Sequence, residues 1–399
     1  MRKMALGIAL LTLAGCNGSG GSGPRAAIDL SGVPLAEITY TGDDLKHLAY
    51  LLDEEQQGRY ASLAEPAREE MMRIFWAEAD PTPTTVENER RDEHYRRLAY
   101  VREHFAIDED PGWDRRGELL LRYGVPDRRD EVPADIVEGR GLVPPKETWI
   151  YYGLGQAYQL EDPRFQGHFL DSYELAGVGR SSPRDIQASR DNINSFSDIP
   201  TGAQRSSFDD SQDPEAALQA QRLASMLEQG QEAYREKPQS YRHDYGGKEL
   251  QFVFDVVNYE AESGKTRIDI NTALWANDLQ YTKDDAGYYA VLTTQAAVMT
   301  PDYRDVGRGE RSTRDRKDSI DALEGRLVLD QTSIELEPGQ YRLALSVTDS
   351  LSGNVGIFKT DLWARAFPKS ELRMSDIQRA LDVRSGRPGD NFLKGPYQV

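Results

Sequence analysis

A single cysteine in 399 residues leaves no partner for an internal disulfide and no thiolate set for structural zinc. The five histidines are scattered; His94 and His104 lie about 80° apart around a helix and have no third ligand at metal spacing. Cations are in deficit, with 48 Lys+Arg against 67 Asp+Glu and a formal charge of −19, which disfavours nucleic acid and anionic lipid headgroups as electrostatic partners. No apolar run reaches the ~20 residues of a permanent membrane span. His-Glu-x-x-His, a phosphate-binding loop, a dinucleotide glycine fingerprint and a Gly-x-Ser-x-Gly elbow are all missing. No cofactor is implied. Gly 34 and Pro 20 stay below the level of a low-complexity chain, and the length allows two or three domains.

What is present begins with residues 1–15, where Arg2 and Lys3 precede an apolar run from Met4 to Leu13 and the small pair Ala14-Gly15. This is the layout of a secretory signal. Leu13-Ala14-Gly15-Cys16 resembles the lipobox of bacterial lipoproteins, which implies that Cys16 is acylated and becomes the first residue of the mature chain. Acyl chains hold by about 0.8 kcal/mol per buried methylene, so the membrane is an expected partner through the lipid. Residues 17–24, Asn-Gly-Ser-Gly-Gly-Ser-Gly-Pro, make a flexible tether within residues 16–35. Loss of Arg2 and Lys3 leaves 46 cations against 67 acids, a mature charge of −21. Asn17 follows the Cys in place of the Asp that resembles an inner-membrane retention signal, which favours the outer membrane facing the periplasm.

Residues 36–175 divide into a helical stretch and a short β element. Leu48, Leu51, Leu52, Tyr60, Leu63 and Met71, set among Glu, Gln and Arg, predict amphipathic helices. Pro81 and Pro83 stop the helix near Asp80. Thr84 and Glu87 predict a capping box for the next helix, whose apolar stripe is Leu98, Val101 and Phe105. Pro111 to Gly117 reads as a turn, Glu118 to Tyr123 as a strand ended by Gly124, and Thr148 to Tyr152 as a second strand.

The blocks Phe75-Trp76, Asp80-Pro81-Thr82-Pro83, Asn88-Glu89, Gly112-Trp113, Arg116-Gly117, Tyr123-Gly124 and Pro126-Asp127 follow one another in the order of the GWxTD domain, which this region resembles over roughly residues 45–170. The family is one of secreted bacterial proteins, so the resemblance implies a fold and an envelope setting and no agreed chemistry. This chain departs from Gly-Trp-x-Thr-Asp-Arg-Gly: it reads Gly112-Trp113-Asp114-Arg115-Arg116-Gly117, one residue shorter, with Arg where the signature Asp falls. Trp113, Arg115, Arg116, Tyr123, Asp127 and Trp149 are the candidate binding or signature residues. Packing of Trp113 onto the helices, with the arginines paired to helix acids, is the plainer account of the same residues.

Residues 176–246 read as a polar linker carrying one helix from Asp213-Pro214, with Ala216, Ala220, Leu223, Leu227 and Tyr234 on one stripe. From residue 247 to 368 the period becomes two: Leu250 to Val256, Ile268 to Leu274, Tyr288 to Met299, Arg326 to Leu329, Tyr341 to Val347 and Val355 to Trp363. Such strands predict an antiparallel, immunoglobulin-like β-sandwich, and Tyr341 after Pro338-Gly339 resembles a tyrosine corner. Asp302 to Asp318, dense in Arg and acids, reads as a charged loop, and residues 369–399 as a tail. The expected class is thus α+β.

Paired carboxylates are the remaining route to catalysis. Glu147 beside Trp149, and Asp171 or Glu174 around Tyr173, are the acids nearest aromatics, each more simply a solvated strand-edge group. Asn277-Asp278 with Asp284-Asp285 could ligate calcium but lacks EF-hand spacing. Two functional classes follow. One is a membrane-anchored, non-catalytic binding or assembly module with an envelope protein partner. The other is an envelope hydrolase of glycan or peptide that uses paired carboxylates.

Overall fold

The computed structural model describes residues 27–137, 141–171, 221–230, 243–370 and 372–378, with residues 218 and 241 and short pieces between 383 and 398. Cys16 and its leader, Tyr173, Glu174, Asp213-Pro214, Ala216, Ala220, Tyr234 and parts of the expected tail lie outside the described residues; 221–230, which hold Leu223 and Leu227, are helical.

The chain is α+β with antiparallel sheets. Its helices are α1 (Leu45–Leu48), α2 (Glu54–Ser62), α3 (Glu65–Ala79), α4 (Glu89–His104) and α5 (Arg115–Tyr123). Short strands follow: β1 (Arg128–Val132), β2 (Asp135–Val137), β3 (Gly141–Val143), β4 (Lys146–Tyr151), β5 (Gln156–Glu161) and β6 (Leu170–Asp171). Longer ones come after them, with the three-residue β9 (Thr282–Asp284) among them: β7 (Val253–Glu260), β8 (Thr266–Trp275), β10 (Gly287–Met299), β11 (Asp305–Lys317), β12 (Leu327–Leu336), β13 (Gly339–Asp349) and β14 (Val355–Ala364).

Two compact units divide the chain: Met1–Pro34 with Arg97–Tyr241, and Leu35–Arg96 with Arg242–Val399. The stretch before Arg97 therefore groups with the strand-rich second half, whereas the sequence partition joined it to residues 97–175. The first unit carries the end of α4, α5 and a four-stranded sheet ordered β1-β4-β5-β6. The second carries α1–α3, the start of α4, and two long-stranded sheets, one ordered β11-β10-β13-β14 with β9 on β10 and one ordered β12-β8-β7; the expected tail adds a small sheet in which Tyr397–Gln398 lies between Arg384–Ser385 and Leu393–Lys394. Apolar clusters join the two sheets: Leu274 and Val328 meet Leu292 and Val347, and Ile268 and Ile270 meet Val298, Leu343 and Leu345. These are alternate residues of their strands, so one face of each strand is buried by the period-two pattern.

Three elements differ from expectation. Glu118–Tyr123 is not a strand but part of helix α5: Asp114 Oδ1 accepts from the amides of Arg116 at 2.9 Å and Gly117 at 3.4 Å, and Gly124, at φ +83°, ends the helix. An apolar triplet such as Leu119-Leu120-Leu121 does not choose between helix and strand, and the two caps decide it. The cap of α4 is Asn88, which accepts from Arg91 N at 2.9 Å, and not Thr84, whose hydroxyl donates to Ser346 Oγ at 2.9 Å. The charged stretch after Asp302 is no loop. It is strand β11, paired along β10 from Tyr288↔Lys317 to Met299↔Asp305. On an edge strand charge protects against unwanted pairing, so the alternation there is of polar groups. Arg311 points inward to Asp330 at 3.1 Å, while Arg314 and Arg316 lie over the Tyr289 ring on the outer face.

Within the second unit, the segment after α3 lies on the outer face of the β10–β14 sheet and is held by its main-chain carbonyls. Lys359 donates to Asp80 O, and Arg308 donates to Pro83 O at 3.0 Å and to Thr85 O. The Asp80 carboxyl is buried there, accepting from Thr82 N at 2.9 Å. Desolvation, opposed by that hydrogen bond and assisted by the charge of Glu89, pushes it up to about 6. A carboxyl raised on folding lowers stability above its folded value and ceases to do so as the pH falls toward the ordinary value near 3.8. Asp80→Asn keeps the acceptor for Thr82 and removes the charge. It should raise the unfolding free energy by about 2–3 kcal/mol at pH 7.5 and by little at pH 4, measured by urea unfolding at both pH values. Equal effects at the two pH values would refute the assignment.

Candidate functional site

The candidate site is built around the turn and cap that open α5. Gly112, at φ +104°, donates its amide to Glu109 O at 2.8 Å in a turn that brings Trp113 back against Ala106. Asp114 then caps the helix, which sends Arg116 toward β4. Arg116 Nε lies 2.9 Å from Asp114 Oδ2, its Nη2 donates to Gly167 O at 2.6 Å, and its Nη1 donates to Glu147 Oε1 at 3.1 Å. Its guanidinium carbon lies 4.7 Å from the Phe105 ring centroid and 4.1 Å from that of Phe169.

Glu147 is the hub, and at 3% exposure it is far from the solvated strand-edge acid expected of it. Arg129 grips it with two hydrogen bonds of 2.8 Å, and Trp149 Nε1 donates to Oε2 at 2.8 Å. Desolvation pushes its carboxyl up, but the hydrogen bonds and charge of Arg129, with the charge of Arg116, outweigh it and hold it below the ordinary value. Two buried carboxylates thus face two buried guanidiniums, and Glu131 adds a third acid 2.9 Å from Arg129 Nη2. Such a cluster orients its members and leaves Glu147 without a free lone pair for proton transfer.

The structure therefore brings Trp113, Arg116 and Trp149 into one neighbourhood. Trp113 is buried, and a Cβ built on Gly117 would lie 2.8 Å from both Trp113 Cβ and Val101 Cγ1. Arg115 turns elsewhere, to Glu118 on its own helix and to the buried Asp171 at 3.8 Å. Tyr123 stacks on Tyr158 and meets Tyr151 edge-on, and Asp127 accepts from Tyr152 N at 2.6 Å. The expected pairing with a helix acid holds for Arg115, whose nearest carboxylate is Glu118, whereas Arg116 pairs with the cap Asp114 and with Glu147 because α5 carries it toward the small sheet.

A second buried polar group escaped sequence reasoning. His47 Nδ1 and His94 Nε2 share a hydrogen bond of 3.0 Å, and Asp44 Oδ1 lies 3.5 Å from His47 Nε2. Trp76 and Tyr95 enclose the imidazoles, with ring centroids 5.7 and 5.5 Å from His94. Desolvation of Asp44 is outweighed by hydrogen bonds from His47, Thr41 and Thr39, so its carboxyl is held well below the usual range. Burial and the Asp44 charge push Tyr60 up to about 12. His94 pairs with a residue 47 positions away rather than with His104, which stacks on Tyr100. No local spacing signals such a contact.

Among the described residues no group of three or more His, Cys, Asp or Glu is arranged to hold a metal ion. Asp284 of the suggested calcium loop pairs with Arg316 at 2.9 Å.

No family model matches the chain. No curated protein matches it either. Among solved structures, one of a protein described as ApaA from Bordetella pertussis is similar over 30% of this chain and 97% of its own length, at 7% identity and a TM-score of 0.18. A likeness of that size assigns neither a fold nor an activity. Among the described residues no helix is long and apolar enough to cross a membrane.

Proposed function

We propose that this chain is a lipid-anchored protein of the bacterial cell envelope, held through Cys16 at the outer membrane and facing the periplasm, and that it works as a non-catalytic binding or assembly module. The GWxTD resemblance of residues 45–170 is part of this reading. So is an immunoglobulin-like sandwich in the second half, supported by two antiparallel sheets with shared apolar clusters and by Tyr341, whose hydroxyl donates to Glu337 O at 2.8 Å.

One observation carries the non-catalytic reading: the charges nearest the signature are spent on one another. Glu147 is held by Arg116, Arg129 and Trp149, and Asp171 faces Arg115, so two of the three acids named for a carboxylate hydrolase serve as structural anchors; the third, Glu174, lies outside the described residues. A glycosidase pair needs one protonated and one ionised carboxyl facing a substrate. Here each faces a guanidinium.

The anchor is tested by Cys16→Ser in the native host. The variant should leave the membrane fraction and appear in the soluble periplasmic fraction, because the body at −21 has no electrostatic hold on an anionic surface. Unchanged retention in membranes would end the lipoprotein reading.

A further inference from the structure

The outer face of the β12-β8-β7 sheet is divided between an apolar end and a polar end. Register places Leu327 opposite Trp275, and Leu329 opposite Ala273, which in turn lies opposite Val253. Trp275 is 52% exposed, Val253 66%, and Leu327 and Leu329 each 42%. Their neighbours Leu274 and Val328 are buried in the core, so these four side chains belong to the opposite side of the pleat and cover nothing in the core. The next row on the face is Asp255, Asn271 and Gln331, and Gln331 Nε2 donates to Asn271 Oδ1 at 2.6 Å. A contiguous exposed group with a Trp at its centre is the composition of a contact surface.

Its border is acidic on balance, with one cation, the exposed Arg326, directly before Leu327. Asp255 follows Val253 on the same face, Asp278 lies in the turn leaving β8 just after Trp275, and Glu324 precedes Leu327. Among the described residues none of the three takes part in an ion pair. A two-fold contact between copies would set these acids against themselves, and an anionic bilayer would be repelled by them. Charge complementarity selects the opposite partner.

We propose that this face docks a protein segment whose apolar side chains are flanked by Lys or Arg. The proposal rests on the binding-module reading and supplies its contact surface: Trp275, Leu327, Leu329 and Val253 take the apolar side chains, and Asp255, Asp278 and Glu324 meet the cations.

The test uses the full chain carrying Cys16→Ser, so that no acyl chain competes, and a fluorescent peptide of alternating Leu and Lys followed by anisotropy. The peptide should bind, and Trp275→Ser with Leu327→Ser should weaken it at least about tenfold while leaving the thermal midpoint unchanged, since both residues are exposed. Asp255→Asn with Asp278→Asn should weaken binding and flatten its salt dependence. Equal binding by the Trp275/Leu327 variant would mean diffuse attraction to an acidic protein and would overturn the surface. So would equal binding of a Leu-Glu peptide, or an effect of the double variant only on self-association or on binding to anionic vesicles. Any of these failures leaves the wider reading in place, whereas cross-linking in intact cells that captures no neighbouring protein would remove the binding-module reading itself.

Discussion

Glu147→Gln is expected to lower the unfolding free energy by about 3–5 kcal/mol, because it removes the charge that accepts four hydrogen bonds from two buried guanidiniums and an indole. Arg116 would keep only Asp114 and Arg129 only the half-buried Glu131, 2.9 Å from its Nη2, as charge partners. The amide can accept one hydrogen bond from Arg129 but meets the other, and the Trp149 indole, with its own donors. The pH dependence of the parent protein has a defined sign. Since folding lowers the Glu147 value, its stabilisation is complete above the ordinary carboxylate value near 4.5 and is lost as the pH falls through the depressed folded value. Urea unfolding at pH 7 and pH 3 should therefore separate variant from parent widely at the higher pH and less at the lower. A variant within about 1 kcal/mol of the parent at pH 7 would mean that the cluster is open to water.

Trp113→Ala should cost about 3–5 kcal/mol, with a fall in the thermal midpoint on the order of 10 °C. The indole fills the space between the end of α4 and the start of α5, where Gly117 permits a close approach that any larger residue would block. Asp114 N, next in the chain, donates to Phe105 O at 3.0 Å, so loss of the ring also loosens the cap that aims Arg116. Thermal unfolding followed by near-UV circular dichroism reads this directly. A variant that keeps its midpoint but loses an envelope neighbour would move Trp113 from packing to recognition.

The two substitutions touch the same cluster, yet the sequence reveals their roles unequally. Gly112-Trp113 beside a proline announces a turn with a large apolar residue, which is a local statement. Glu147 announces nothing: a Glu on a strand beside Trp is ordinary. Its burial follows from Arg129 on β1, placed beside it by the register Arg129↔Trp149 and Glu131↔Glu147, and from Arg116, thirty-one positions away. His47 and His94 give the same lesson, as does Thr84, whose hydroxyl suits a cap and is used on Ser346 instead.

Strands β8, β10, β13 and β14 were legible because burial on one face leaves a period of two in the chain. β11 was not, because an edge strand with charge on both faces carries no apolar period. The sequence by itself determined the absence of an internal disulfide, the α+β class and the alternation of the long strands, all properties of composition or of neighbouring residues. Only the tertiary structure decided which carboxylates are spent on guanidiniums, which histidines meet, and which side of the β12-β8-β7 sheet keeps its apolar residues in water. Those outcomes depend on partners tens to hundreds of positions apart, and a long-range contact leaves no periodic mark in either segment that makes it.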